Sequence, residues 1–449
     1  MKLIFALLLL TNIAFGQTNS LLKKQLKKDS IKTEFATLYD LTNTIHPGQF
    51  MYCTKKDFDK TYDSLQNCIK TDLSIVDYFK LTASLMAKIK DGHTATDRTQ
   101  INELLKNKLV FPFSIYKIEN KYYINKSANK DYERLIGKEI LKINGNNIQS
   151  VIAKIKPYIH LEGDNETGLN IRLRNFPFYY FLNDTSSTFT VELKQETKQN
   201  IKGIEFAKFT QNTKQNIEPL SSEFIENKIG ILKVHSFENG YDETERKKAY
   251  LFIDTFFSKM DSLKIDNLVL DLRDNGGGSP EIANYLFSYF TTKPYYYFDY
   301  VGAKYNSVSK WKHFAQYPEN IEEINLAETT IRNGLNCYTA TDSSDYWWFE
   351  QQENKSNYYK GKISVLIDGG CFSTTGHLLA LFSDNKIGAL YGEYSQGSNY
   401  SNSGGQAFVL PYSKTLVWIP TFQYKMKTDR KSTRLNSSHP SISRMPSSA

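Results

Sequence analysis

The stretch "IDNLVLDLRDNGGGSPEIANYLFSYF", residues 265–290, decides the fold class. Its first part is a short apolar run rich in Leu and Val, which predicts a buried β-strand. Three consecutive glycines predict a tight turn, and Ser279 followed by Pro280 and Glu281 is typical of the start of a helix. The stretch therefore predicts a strand, a turn and a helix in succession.

The same pattern occurs again in "KISVLIDGGCFSTTGHLLALFSDN", residues 362–385, and another buried strand is predicted at residues 227–237. Strands that alternate with helices imply crossover connections and a largely parallel sheet. We therefore predict an α/β class, with a core domain over residues 205–429. The tract at residues 293–360 is rich in Tyr, Trp and Asn, and it is predicted to be an irregular insertion.

The part of the chain before this core has two different textures. Residues 17–100 show apolar side chains three and four apart, which predicts a small helical cap in which Ser74 caps the last helix. Residues 105–200 contain short strands, with turns predicted at Glu119-Asn120 and at Asn144-Gly145. This β-rich region, which adds α+β elements to the fold, resembles PDZ domains in its run Gly137, Ile140, Leu141, Ile143, Asn144, Gly145.

The two ends of the chain are set apart from the fold. Residues 1–16 join an apolar run to a small-x-small site, which predicts a cleaved secretory signal and export to the periplasm or the extracellular space. No later run is long enough to span a membrane, so no stable membrane insertion is expected. Residues 430–449 have no periodicity and no acidic residue, and they resemble adapter read-through rather than a native tail.

Charge and cysteine content exclude several kinds of partner. The two end segments hold five net positive charges, so the remainder of the chain carries +3, the formal +8 less these five. This small excess does not predict a nucleic-acid partner. Cys53 and Cys68 could form a disulfide in an oxidising compartment or remain free thiols. No Cys/His spacing resembles a zinc site, and neither a metal nor another cofactor is predicted.

Ser373 has two interpretations. It follows a predicted strand and a glycine pair and precedes a predicted helix, so its hydroxyl is expected at the positive end of that helix. A serine there either caps the helix or acts as a nucleophile whose oxyanion is stabilised by free N–H groups. The position alone does not separate the two interpretations.

Three segments in a fixed order favour the nucleophile: "KIKDGHTATD" (residues 88–97), "LVLDLRDNGGG" (268–278) and "VLIDGGCFSTTGHLLALFSDNKIGALYGEYSQG" (365–397). Together they resemble the tail-specific, or C-terminal-processing, serine peptidases over nearly the whole chain. The resemblance implies an acyl-enzyme on Ser373. It also implies an oxyanion hole formed by the N–H of Thr374 with that of Gly276 or Gly277.

The general base is predicted from the same resemblance. One branch of the family uses a lysine about 25 residues after the serine, but no lysine lies between Ile387 and Ser413. The branch similar to tricorn-type proteases, which also has retinoid-binding relatives, uses a histidine that precedes the PDZ-like region. His93 in "DGHT" matches that histidine. His377 is the alternative, because it lies one helical turn after Ser373.

The acid that orients the imidazole is not clearly matched. The family takes it from the part of the chain that follows the "WIPTF" strand, and we expect this part to be replaced by the non-native tail. Glu393 and Asp91 are the fallback candidates.

The sequence thus predicts an exported serine endopeptidase that acts on proteins or peptides, with a PDZ-like region that binds extended peptide. The alternative is an inert hydrophobic-ligand or peptide-binding module on the same fold. An esterase of the α/β-hydrolase type is disfavoured, because Ser373 does not lie in a G-x-S-x-G motif.

Overall fold

The computed structural model describes residues 25–214, 217–321, 323–340 and 346–428. The predicted signal segment and the predicted non-native tail lie outside these residues. The helices are α1 (Lys28–Ile45), α2 (Lys55–Cys68), α3 (Ile75–Ile89), α4 (Thr99–Leu105), α5 (Ile148–Ile155), α6 (Thr167–Leu173), α7 (Phe176–Phe181), α8 (Phe206–Thr213), α9 (Glu243–Ser262), α10 (Pro280–Phe287) and α11 (Thr374–Asp384).

The strands of the first half are β1 (Ala95–Thr96), β2 (Leu109–Val110), β3 (Phe113–Ile118), β4 (Lys121–Ser127), β5 (Glu139–Ile143), β6 (Asn146–Asn147), β7 (Thr188–Leu193), β8 (Gln199–Lys202), β9 (Ile204–Glu205), β10 (Leu220–Ile225) and β11 (Ile229–Val234). Those of the second half are β12 (Asn267–Asp271), β13 (Tyr295–Tyr296), β14 (Phe298–Ala303), β15 (Thr330–Arg332), β16 (Leu335–Thr339), β17 (Gln351–Gln352), β18 (Lys362–Ile367), β19 (Ala389–Gly392), β20 (Tyr400–Ser403), β21 (Gln406–Val409), β22 (Leu416–Ile419) and β23 (Phe422–Met426). In the described part of the chain, no helix is long and apolar enough to cross a lipid bilayer.

The chain forms two compact units, and each is assembled from separate segments. Of the described residues, the first unit contains 25–214, 307–321 and 405–420, and the second contains 217–306, 323–340, 346–404 and 421–428. The "LPYSKTLVWIP" segment, placed in the core domain by the sequence pattern, thus belongs to the first unit. The proposed domain boundaries stay a prediction.

The first unit combines helices with an antiparallel sheet. Ser74 caps α3, because its Oγ accepts the N–H of Asp77 at 3.1 Å, as predicted. The sheet has the strand order β3-β4-β5-β7-β8, with β6 paired to β5. Both predicted turns are present, and Asn144 and Gly145 have the positive φ values of 48° and 78° that a type I′ hairpin turn requires.

A strand pair from late in the chain completes the first unit. β21 and β22 form a hairpin whose β22 pairs with β1, next to the loop that carries His93. The buried carboxylate of Glu34 on α1 accepts the N–H groups of Tyr412 and Ser413 in the hairpin turn, the second at 2.9 Å. This buried charge is stabilised by hydrogen bonds to its oxygen, as a buried carboxylate requires.

The second unit contains the predicted α/β sheet. Its strand order is β10-β11-β12-β18-β19, in which β11, β12, β18 and β19 are parallel and β10 is an antiparallel edge strand. The inner strands alternate between fully buried and partly buried side chains, so one face of the sheet is fully buried. The buried residues include Leu232, Val234, Leu268, Leu270, Val365 and Ile367. The α/β class is confirmed.

The prediction of an irregular insertion at residues 293–360 is wrong. This tract contributes β14, β15 and β16 to an antiparallel sheet of order β15-β16-β14-β23-β20. Aromatic residues favour strands, and buried rings such as Tyr297 and Phe298 join the core of this unit. Asn333 and Gly334 both have positive φ and form the turn between β15 and β16.

Candidate active site

Ser373 lies at the carboxyl edge of the parallel sheet, between the end of β18 and the start of α11. It occupies the N-cap position of α11, but its side chain makes no capping hydrogen bond. In contrast, Ser279 at the start of α10 accepts the N–H of Glu281 at 3.3 Å. Capping therefore does not explain the serine at position 373.

The backbone of Ser373 is strained. Its φ and ψ are 54° and −125°, and a positive φ is uncommon for a residue with a side chain. Such a conformation costs about 1–3 kcal/mol and persists only where the surroundings enforce it, commonly in active sites. The strain is a second indication that the hydroxyl of Ser373 serves chemistry.

Side-chain hydrogen bonds hold the turn between β18 and Ser373. The Oδ1 atom of Asp368 accepts the N–H of Gly370 at 2.8 Å and that of Asp274 at 2.9 Å. On the other side, Gln396 donates from its backbone to the carbonyl of Cys371 at 3.0 Å and from Nε2 to the carbonyl of Gly369 at 2.6 Å. Both sides of the turn are thus tied to neighbouring loops.

The glycine turn after β12 packs directly against the nucleophile turn. A Cβ added to Gly277 would lie 2.8 Å from Cβ of Ser373 and 2.9 Å from the backbone nitrogen of Thr374. The hydroxyl of Thr374 donates to the carbonyl of Gly278 at 2.6 Å, and the Phe372 N–H donates to the carbonyl of Asn275 at 3.1 Å. The two turns meet because β12 and β18 are adjacent and parallel, so their carboxyl ends share one sheet edge.

The two glycines proposed for the oxyanion hole differ. The N–H of Gly277 donates to Oδ1 of Asn275 at 2.9 Å, and Nδ2 of Asn275 donates to the carbonyl of Val234 at 2.9 Å. A Cβ added to Gly276 would meet no atom within 4 Å, so Gly276 faces open space. Because the amide of Gly277 is occupied by Asn275, this geometry favours Gly276 as the second donor beside Thr374, and the oxyanion hole stays a prediction.

His93 lies in the first unit, in a tightly braced loop between α3 and β1. Its N–H donates to Oδ1 of Asp91 at 2.7 Å, and Oδ2 of Asp91 is 3.5 Å from Nε2 of His46. Nε2 of His46 is also 2.8 Å from Oγ1 of Thr94. His46, Asp91 and Thr94 are all buried, so they fix the path of the loop that presents His93.

The imidazole of His93 is held in its neutral form. The residue is half-buried, but its Nδ1 atom is closed off from solvent. This burial and the positive charge of Arg172 lower the pKa of His93 to about 4. A neutral imidazole at neutral pH is the form that a general base requires.

The alternative base, His377, lies in the same unit as Ser373 but among aromatic rings. It is buried on α11, edge-on to Phe298 at 5.3 Å and to Tyr297 at 6.3 Å between ring centroids. Its backbone N–H donates to the carbonyl of Ser373 at 3.1 Å, an ordinary helical bond. This packing favours a structural role and therefore favours His93, although the assignment stays a prediction.

The fallback acids occupy different places. Asp91 contacts the backbone of His93 and the ring of His46, so it shapes the loop. Glu393 follows β19 in the second unit, where its N–H donates to the carbonyl of Ile367 at 3.1 Å. The structure describes the four cysteines as free, with Cys68 exposed and Cys371 buried beside the nucleophile turn.

Several residues that shape the site escaped the sequence analysis. Asn275, Asp368 and Gln396 brace the two turns, and His46 braces the loop of His93. Asn275 and Asp368 lie directly beside the quoted glycines, so their position was a usable signal. Gln396 and His46 are distant in sequence from the residues they support and carry no local signal.

A serine at the N-cap of a helix, with a glycine turn packed against it at the edge of a parallel sheet, is the arrangement expected of a serine-type hydrolase. Residues 228–435 match the model of peptidase family S41, and residues 107–210 match that of a PDZ domain. The chain therefore contains a serine-type peptidase domain of family S41 and a PDZ domain.

The chain is similar to several solved structures. Mature CPAF complexed with lactacystin is 13% identical, with a TM-score of 0.60 over 88% of this chain and 90% of that chain. The photosystem II D1 C-terminal processing protease is 12% identical, with a TM-score of 0.39 over 88% of each chain. None of the curated proteins matched this chain. The likeness to CPAF shows a shared fold.

Proposed function

We propose that the protein is an exported serine endopeptidase that hydrolyses peptide bonds through an acyl-enzyme on Ser373. The observation that carries the proposal is the state of Ser373, which has a strained backbone, makes no capping bond and lies against the glycine turn. The family match supplies the reaction class, hydrolysis of peptide bonds.

The proposed mechanism assigns a role to each group. His93 takes the proton of the Ser373 hydroxyl as its oxygen attacks the peptide carbonyl, and the N–H groups of Thr374 and Gly276 stabilise the oxyanion. The protonated imidazole then gives its proton to the leaving amine as the C–N bond breaks. Water, activated by the same histidine, hydrolyses the ester and restores Ser373. The orienting acid remains unassigned, with Glu393 as a candidate.

Binding and location are further parts of the proposal. The PDZ domain would bind extended peptide by strand addition, and β3 and β8 are the edge strands of its sheet. The apolar segment at residues 1–16 supports export. Fractionation of cells that express the full chain tests this, because recovery of the protein in the cytoplasm contradicts export.

Covalent labelling tests the nucleophile and the base together. A fluorophosphonate probe is expected to modify Ser373, and mass spectrometry of the digested protein locates the adduct. His93→Ala is expected to slow labelling at least a hundredfold, since general-base catalysis is worth about that much. His377→Ala, the matched control, is expected to change the rate less than threefold if the variant folds. A protein that is folded but not labelled would favour the binding-module alternative.

The acid limb of the pH profile is expected at an unusually low pH. Because the pKa of His93 is lowered to about 4, kcat/KM is expected to fall by half near pH 4 rather than near 6.5. An unfolded histidine binds its proton near pH 6.5, so folding stability is lost as the pH falls from there toward 4. Circular dichroism at each pH separates unfolding from titration. A limb near pH 6.5 in the folded protein contradicts the assignment.

A further inference from the structure

The last glycine of the glycine turn, Gly278, is held from two sides by hydrogen bonds. On one side the N–H of Phe237 donates to the carbonyl of Gly277 at 2.9 Å, and the N–H of Ser279 donates to the carbonyl of Phe237 at 3.0 Å. These two bonds form a parallel β-bridge between Phe237 and Gly278. On the other side, the carbonyl of Gly278 accepts the hydroxyl of Thr374 at 2.6 Å. Gly278 thus links the loop after β11 to the start of α11.

The direction of the Gly278 N–H group follows from this pattern. In a trans peptide the N–H and the preceding carbonyl point in opposite directions, and the described part of the chain contains no cis peptide bond. The carbonyl of Gly277 points toward Phe237, so the N–H of Gly278 points away from Phe237. Because the Gly278 carbonyl also faces Thr374 on that side, Gly278 presents its N–H toward the nucleophile turn.

Two backbone N–H groups are available at this contact. Within the residues that the structure describes, neither the N–H of Gly278 nor that of Thr374 has a hydrogen-bond partner. The two turns touch here, because a Cβ on Gly277 would lie 2.9 Å from the nitrogen of Thr374 and 2.8 Å from Cβ of Ser373. Unpaired N–H groups in a buried turn are rare, and a pair of them beside a serine nucleophile is the arrangement of an oxyanion hole.

Gly278 has no room to move toward the loop after β11. A Cβ added to Gly278 would overlap the backbone of Phe237 and Glu238, so the two backbones are already in close contact. The φ of Gly278 is 128°, a value that residues with a side chain rarely adopt. The hydroxyl of Thr374 holds Gly278 from the opposite side. The two contacts together fix the direction of the Gly278 N–H.

We infer that the hydroxyl of Thr374 is a positioning group, which holds Gly278 so that the Gly278 N–H is a further donor to the oxyanion. This donor adds to those proposed above. The inference rests on the proposed function, because the oxyanion forms only when Ser373 attacks a peptide carbonyl. Since the negative charge develops only in the transition state, a displaced donor lowers kcat and leaves the binding of substrate nearly unchanged.

Substitutions at two neighbouring threonines test this role on a fluorogenic peptide. Thr374→Val keeps the β-branched shape and removes the hydroxyl, so kcat is expected to fall at least about tenfold while KM changes less than about threefold. Thr374→Ser keeps the hydroxyl and is expected to retain at least about a third of kcat. Thr375→Val is the matched control. The buried hydroxyl of Thr375 has no hydrogen-bond partner in the described structure, so its loss is expected to change kcat less than about twofold.

Fluorophosphonate labelling of the same variants separates this inference from the proposed function. The phosphoryl oxygen of the probe takes the place of the oxyanion, so Thr374→Val is expected to slow the labelling of Ser373 by a factor similar to its loss of kcat. An original protein that is not labelled contradicts the proposed function, and the inference fails with it.

Other outcomes overturn the inference alone. A Thr374→Val protein that is folded by circular dichroism and is labelled at the original rate shows that the hydroxyl positions no donor, although Ser373 remains the nucleophile. An equal loss of kcat in Thr374→Ser, or a loss that appears in KM instead, has the same meaning. If the valine variant does not fold, Thr374→Ala gives the same test, because it removes the hydroxyl without placing a methyl group against the Gly278 carbonyl.

Discussion

Replacing Ser373 with alanine is expected to lower kcat by about a millionfold, the loss seen when a serine protease loses its nucleophile. The change removes only the hydroxyl oxygen, and that hydroxyl makes no capping bond to α11. Stability is therefore expected to stay within about 1 kcal/mol of the original protein. The measurement is kcat on a fluorogenic peptide, with thermal unfolding followed by circular dichroism.

Ser364→Ala is the matched control for this variant. Ser364 lies on β18 in the same unit, and its hydroxyl has no part in the proposed chemistry. Its loss is expected to change kcat no more than twofold. If the Ser373→Ala protein retains a tenth of the activity, another residue is the nucleophile and the mechanism proposed above is wrong.

Replacing Gly277 with alanine is expected to lower kcat/KM by at least about a hundredfold, because small displacements of catalytic groups have effects of that size. Gly277 has a φ of 106°, and the new methyl group would overlap Ser373, Phe372 and Thr374 at less than 3.0 Å. The nucleophile turn must shift to accept it. The strained backbone and the shift together are expected to cost about 3 kcal/mol of folding free energy.

Gly405→Ala is the control for the glycine substitution. A methyl group there would meet no atom within 4 Å, and Gly405 lacks the positive φ of Gly277. Stability is expected to change by less than about 0.5 kcal/mol, with full activity. Denaturant unfolding and steady-state kinetics measure both variants. An active Gly277→Ala protein of unchanged stability would show that the two turns do not pack as described.

The strand–turn–helix units were predictable because their signals are local. Residues 265–290 and 362–385 each contain an apolar run, glycines and a helix start, and each folds as that pattern indicates. The aromatic tract was misjudged because its strands are short and separated by loops. Its Asn333-Gly334 pair is a hairpin signal that could have revealed β15 and β16.

The residues of the candidate site could be predicted from the sequence, but the contacts that hold them in place could not. A serine that caps a helix and a serine that acts as a nucleophile give the same sequence signal at Ser373. Only the backbone angles and the missing capping hydrogen bond distinguish the two roles. The choice between Gly276 and Gly277 depends on the direction of one N–H group, which is set by Asn275.

The pairing of β1 with β22 has a consequence for the order in which the first unit assembles during synthesis. Asp97 lies four residues after His93, and its side chain accepts a hydrogen bond from the indole N–H of Trp418. Trp418 lies 321 residues further along the chain. A ribosome must therefore translate the chain as far as β22 before the loop of His93 gains its partner strand. A nascent chain lacks this support while its earlier parts emerge. The topology thus delays the assembly of the proposed base until β22, more than 300 residues later, has been translated.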